Sequence, residues 1–211
     1  MKTITDRARP LAALGLIALA LSGCALPDKP VRPQLYDLGP ALPASADAAP
    51  PAAAALALGP VAAPAAIDGT QIIYRLIYSD GGQQPRPYAQ ARWTMAPPQL
   101  LGQRLREALS ARRPVVEAGA GLATLELRAE LDEFAQVFTA PNASEGVVRL
   151  RVTATAPAAR GGNRLLGQRS FTVRQNAATA DAPGAAAALR AATDEVARQV
   201  AAWVEELPTP R

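Results

Sequence analysis

Between Thr124 and Gln175 the chain runs three times through an alternation of apolar and polar residues, and no other feature constrains its fold as tightly. Leu125, Leu127, Ala129 and Leu131 alternate with Glu126, Arg128 and Glu130. Successive side chains of a strand point to opposite faces, so this pattern describes a strand with one covered and one wet face. The phase breaks at Asp132-Glu133, and Phe134 and Phe138 fall on the other parity. One inserted residue flips every later side chain, so a β-bulge there would return both aromatics to the covered face. Pro141-Asn142-Ala143-Ser144 then turns the chain, and Val148, Leu150, Val152 and Ala154 alternate with Arg149, Arg151, Thr153 and Thr155. Gly161-Gly162-Asn163 makes a second turn, and Leu165 to Gln175 supplies the third strand of a meander.

Two helices offer the cover. From Gln99 to Arg112, Leu101, Leu105 and Leu109 recur at spacing four with Ala108 beside them, while Arg104, Arg106 and Glu107 fall largely elsewhere on the wheel. That is an amphipathic helix. Pro97-Pro98 suits its first turn, where an amide would be unpaired anyway, and Pro114 ends it. Near the C-terminus Leu189, Thr193, Val196, Val200, Trp203 and Leu207 repeat at three and four, between Pro183-Gly184 and Pro208. Trp203 on this stripe is most simply a core residue. Asp194 and Arg198 are spaced as an i,i+4 ion pair on its polar side.

Upstream, Leu56, Leu58 and Val61 suggest a first strand ending near Pro64. Ile72 to Tyr78 is dense in β-branched and aromatic residues, which fit a pleated, half-buried surface. Ser79-Asp80-Gly81-Gly82 is turn chemistry, and Tyr88 to Met95 can return as the partner strand. The expected order is ββ(β)αβββα. Its apolar stripes are all satisfied by an α+β fold of two layers, a largely antiparallel sheet with two amphipathic helices packed on one face. A sandwich would leave the helical stripes bare, and a Rossmann fold would need helices between the strands.

The N-terminus has another grammar. A cationic head (Lys2, Arg7, Arg9) precedes an apolar run from Leu11 to Leu21. Such a run is too short for a hydrocarbon core that needs roughly 20 helical residues, but it fits the apolar section of a secretory signal. Small residues then lead into Cys24, the only cysteine. Leu21-Ser22-Gly23-Cys24 resembles the lipobox of bacterial lipoproteins, in which the signal is cut before a diacylated cysteine and the new amine is acylated. A plain signal peptide followed by a chance cysteine is the competing reading, and charge, run length, small residues and cysteine together weigh against it. One acyl chain binds membranes marginally and a second makes anchoring stable, so three would be effectively permanent. Ala25 in place of an Asp implies, by the same resemblance, the outer membrane with the protein facing the periplasm rather than inner-membrane retention. The expected organisation is a signal at 1–23, a lipidated tether and Ala/Pro-rich connector at 24–51, and one domain at 52–208.

Chemistry is limited by what the chain lacks. With no histidine and its one cysteine assigned to lipid, His-based catalysis, His metal sites, a thiolate nucleophile and disulfides have no residues to use. No GxSxG, HExxH, Walker-type or GxGxxG motif occurs. Neither an enzyme nor a metal or cofactor is expected. The first 23 residues carry half of the formal +4 charge, and the remaining excess is spread too thinly for a nucleic-acid footprint.

With these segments placed, the chain resembles the ABC-type transport auxiliary lipoprotein family. The likeness rests on the lipobox followed by Tyr36-Asp37-Leu38-Gly39, on Ile67-Asp68-Gly69 leading into Ile72-Ile73-Tyr74-Arg75, on Tyr88 and Trp93 before Pro97-Pro98, and on Ala201-Ala202-Trp203-Val204. It implies a periplasm-facing auxiliary of a machine with a permease, a cytoplasmic ATPase and a substrate-binding protein bearing an MCE (mammalian cell entry) domain. Such machines move phospholipid or other hydrophobic molecules between the two membranes. The role expected is docking of that assembly, or completion of its conduit, with self-association left open. Two alternatives are a structural envelope lipoprotein assisting outer-membrane assembly and a direct carrier of lipid. Tyr74, Arg75, Tyr88 and Trp93 are the candidate partner interface, because tyrosine, tryptophan and arginine are common anchors. Core packing competes for Tyr88 and Trp93. They are five apart, so strict alternation puts them on opposite faces and at most one in the core.

Overall fold

The meander forms as its alternation dictates, and its strands are longer than the pattern alone marks. In the computed structural model, which describes residues 31–40, 54–80, 84–119, 121–158 and 161–208, β6 is Leu125–Ala140, β7 Ala143–Pro157 and β8 Asn163–Asn176. Around them lie β1 (Gln34–Tyr36), β2 (Leu56–Leu58), β3 (Gln71–Leu76), β4 (Arg86–Trp93) and β5 (Val115–Glu117). The helices are α1 (Pro97–Ser110) and α2 (Ala182–Glu205). All belong to one compact unit, Pro33–Arg211; the other unit, Met1–Arg32, is almost wholly outside the described residues. Cys24, the signal segment and the Ala41–Pro51 connector lie outside them too.

β6 is the spine of an eight-stranded sheet among the described residues. One edge pairs antiparallel with β7, which pairs antiparallel with β8. Along the other edge, the start of β6 takes β2 in parallel (Leu56 opposite Leu125), and β5 extends β2. The end of β6 takes β3 in parallel (Tyr74 opposite Gln136), and β4 and then β1 extend β3. The bulge falls where the phase breaks: Leu131 faces Leu150 and Glu133 faces Arg149, leaving Asp132 as the extra residue. Phe134 and Phe138 are thereby buried on the face of Leu127 and Leu131.

Both helices contribute to the single core on that face. Leu101, Leu105 and Leu109 of α1 and Leu189, Val196 and Val200 of α2 share it with Leu127, Leu150 and Phe171. Thr193 is buried on the apolar stripe, and its hydroxyl donates to the Leu189 carbonyl at 2.7 Å. Phe171 and Trp203 meet edge to face at 5.9 Å. The other face buries Ala135, Val137 and Val147 toward one end and elsewhere carries ion pairs: Glu133 with Arg149, Asp132 with Arg151 at 3.0 Å, and Glu145 with Arg174 at 3.3 Å. Exposed pairs like these contribute little each, but they keep a broad sheet face wet.

Several local expectations change. Pro97-Pro98 opens α1 as expected, but Pro183-Gly184 sits inside the first turn of α2 rather than before it. Ile77 and Tyr78 lie beyond the end of β3, in a turn closed by the Ser79 amide on the Leu76 carbonyl at 3.3 Å. Asp194 does not pair with Arg198, which binds Glu195 at 2.5 Å instead. Asp194 pairs with Arg190 at 3.9 Å and, more closely, with Arg104, which is only 3 % exposed and belongs to the interior, not to the polar side of α1.

Candidate partner interface

The register of β4 decides where the proposed anchors go. Ile73 faces Pro87 and Gln71 faces Arg92, so β3 advances two residues while β4 advances five. The three extra residues reverse the parity, and Tyr88 and Trp93 share the helix-covered side instead of opposing faces. A distortion of this size strips carbonyls of their ladder partners. Arg92 covers them, donating from Nη1 to the Tyr88 and Ala91 carbonyls at 2.6 and 2.8 Å.

Trp93 is 1 % exposed and packs edge-on against Phe134 at 5.5 Å. It is a core residue. Tyr74 and Tyr88 are half-buried, with ring centroids 4.8 Å apart, and Phe138 meets Tyr74 at 5.9 Å. Arg75 follows Tyr74 along the strand and so lies on the opposite face. The structure thus gathers two of the four candidates into an aromatic cluster and separates the other two from it.

Behind the cluster is a buried polar relay that side-chain pattern did not disclose. The Tyr88 hydroxyl donates to Gln136 Oε1 at 2.5 Å, and Gln136 Nε2 donates to Ser144 Oγ at 2.8 Å and reaches the Thr179 carbonyl at 3.4 Å. Gln136 is fully buried, so each bond satisfies a group that would otherwise be stranded. Burial, reinforced by the charges of Tyr74 and Asp181, raises the Tyr88 phenol to about 12. It is a donor at any physiological pH.

The second assembly also escaped the sequence reading. Asp37 Oδ1 accepts from the Gly39 amide at 2.7 Å, a turn that Gly39 completes at φ 68°. Leu38 is thereby buried, and the carbonyls of Leu38, Gly39 and Pro40 face Arg104. Arg104 donates to Pro40 at 2.8 Å and to Glu107 at 3.0 Å, and its Nε stands 3.0 Å from Asp194 on α2. One guanidinium therefore fixes the Tyr36–Pro40 segment to both helices. Desolvation raises the Asp194 carboxyl, with Arg104, Arg190 and Arg198 opposing the rise.

Among the described residues no group of three or more Cys, Asp or Glu converges as a metal site, and no helix is long and apolar enough to cross a membrane. The geometry presents half-buried rings, an arginine-locked entry segment and exposed apolar residues at the end of β3.

Known structures share this fold. A Xanthomonas campestris protein described under the family model DUF330 shares the fold with a TM-score of 0.68 at 18% identity, over 81% of this chain and 94% of that one. An uncharacterized protein superposes with a TM-score of 0.62 at 16% identity, over 82% and 99% of the two chains. No curated protein matches the chain. The family model for the ABC-type transport auxiliary lipoprotein component matches residues 36–201, from the Tyr36 turn that Arg104 holds to Ala201 in α2. The chain belongs to the family of ABC-type transport auxiliary lipoprotein components.

Proposed function

We propose that the protein is a lipid-anchored, periplasm-facing auxiliary subunit of an ABC transporter with an MCE-domain partner, moving phospholipid or other hydrophobic molecules between inner and outer membranes. It acts by docking the assembly or completing its conduit, and has no catalytic step of its own. Acylated Cys24 holds it to the outer membrane.

The Arg104 clamp carries this reading. The segment nearest the anchor is tied through one buried cation to both helices, so a pull on the tether is transmitted to the whole globule rather than to a frayed end. Docking is favoured over carriage because the space between sheet and helices is filled by Trp93, Phe134, Leu101, Leu105, Leu127, Leu150 and Leu189, all below 2 % exposed. An acyl chain would have to displace them. The aromatic pair of Tyr74 and Tyr88 is our candidate partner surface, and Arg75, on the opposite face, is a separate candidate contact.

Affinity purification of the transporter through a tagged MCE subunit tests it. A Tyr74→Ala/Arg75→Ala double variant keeps the wild-type circular dichroism spectrum and is lost from the recovered complex; undiminished recovery would overturn the interface. Cys24→Ala moves the chain from the membrane fraction to the soluble fraction, and unchanged fractionation would overturn the anchor.

A further inference from the structure

We infer that the Ile77–Tyr78 turn is a second, non-covalent contact with the phospholipid surface that holds Cys24. The inference rests on the proposed lipid anchor.

Ile77 and Tyr78 occupy the two central positions of the turn closed by Ser79 on Leu76, with a second bond from the Ser79 hydroxyl to the same carbonyl at 3.1 Å. Such corners favour glycine, proline, asparagine or aspartate for conformational reasons, and a β-branched residue followed by an aromatic has no local rationale there. Neither is packed away: Ile77 is 52% exposed and Tyr78 45%. A tyrosine beside an aliphatic side chain suits the boundary between headgroups and acyl chains, where an apolar ring with a polar tip is favoured.

Strand direction points the N-terminal end of β1 toward this turn. β3 runs toward the turn, and antiparallel β4 runs away from it. β1 lies parallel to β4, with Gln34 opposite Ala91, so the chain enters the domain travelling away from the turn end. Along the strands Gln34 and Tyr78 are separated by at most about 30 Å, from Ala91 back to Arg86 and from Tyr74 on to Tyr78. The ten residue steps from Cys24 to Gln34 extend to at most about 34 Å. The tether is long enough for acyl chains and turn to meet one membrane.

The test uses the full lipidated protein in vesicles of phosphatidylethanolamine and phosphatidylglycerol. Its only cysteine is the acylated Cys24, so a new one can be labelled alone. An environment-sensitive fluorophore is attached at Tyr78→Cys, and in a separate sample at Leu165→Cys, a more exposed site at the opposite end of the sheet (62% exposed). Lipids with a doxyl quencher near the headgroup are expected to dim the first probe about twofold or more and leave the second unchanged. Equal, weak quenching at both sites, with the protein still floating with the vesicles, overturns the turn contact and leaves the anchor intact. Failure to float overturns both.

Discussion

Arg104 on α1 and Asp194 on α2 stand 3.0 Å apart in the interior, Nε to Oδ1, and the same guanidinium holds the carbonyls of Leu38 and Pro40. The arrangement is a shared dependence: the carboxylate needs the cation, and the entry segment needs the remaining N–H groups. Removing the guanidinium strands the buried Leu38 carbonyl and leaves Asp194 with Arg190 at 3.9 Å, at a cost of about 1–3 kcal/mol. Arg104→Met is therefore expected to lower the unfolding midpoint sharply. Hydrogen exchange would show the Leu38 and Gly39 amides losing protection before those of β6. Arg104→Lys keeps the charge but not the fork of donors, and should fall between.

Tyr88 supplies a pH signature. Its phenol is raised to about 12 against an ordinary value near 10, chiefly by burial. A raised value means the folded state prefers the protonated form more than the unfolded state does. The stabilisation is thus complete below about pH 10 and is lost as pH rises through about 12. An ultraviolet titration should show Tyr88 ionising late. Tyr88→Phe removes that late step and strands Gln136 Oε1, at a cost of about 1–3 kcal/mol at neutral pH.

Gly146 lets α2 lie on the sheet. A Cβ there would stand 2.7 Å from the Ala188 carbonyl carbon and the Leu189 amide nitrogen, both backbone atoms of the helix. Neither can swing aside, so Gly146→Ala must lift α2, at about 1–3 kcal/mol or more. Gly161→Ala, at φ 88° with open space around it, should cost only the conformational penalty of about 1–2 kcal/mol. Chemical denaturation of the pair separates packing from backbone conformation: if Gly146→Ala proved the milder change, the close approach would not be a constraint.

The fold was legible wherever period and length coincided. Sixteen residues of β6 and twenty-four of α2 repeat their pattern often enough to be read, and even the bulge at Asp132 announced itself as a change of phase. β1 and β5 have three residues each and no period to detect; distant partners make them strands. Tyr88 and Trp93 misled because a three-residue dislocation in β4 has no local signature beyond Arg92, which by itself reads as an ordinary surface charge. Ile77 and Tyr78 carry strand composition but occupy a turn, since chain reversal rather than propensity sets the backbone beyond Leu76. Arg104 hid most completely. It borders the Leu101–Leu105 stripe, and only the carbonyls of Leu38 to Pro40, more than sixty residues away, explain its burial.

The start of α2 allows the last test, because one carboxylate there closes both the helix and the loop before it. Asp181 Oδ1 accepts from the Gly184 amide at 2.9 Å and from the Thr179 hydroxyl at 2.5 Å. These bonds, the hydroxyl's first, hold its carboxyl below the ordinary range. A lowered value means that the contribution is present above the unfolded carboxylate range and is lost as pH falls through the folded value. Asp181→Ala is expected to cost about 1 kcal/mol near neutrality, the usual worth of an N-cap. The deficit should shrink on acidification, because the wild type then loses the same bonds. Asp181→Asn keeps an acceptor without the charge, so it should recover most of the stability and show a flatter pH profile. Urea unfolding of the three proteins from neutral to acid pH checks this, and a pH-independent gap between wild type and Asp181→Ala would mean that the carboxylate's charge has no part in the cap.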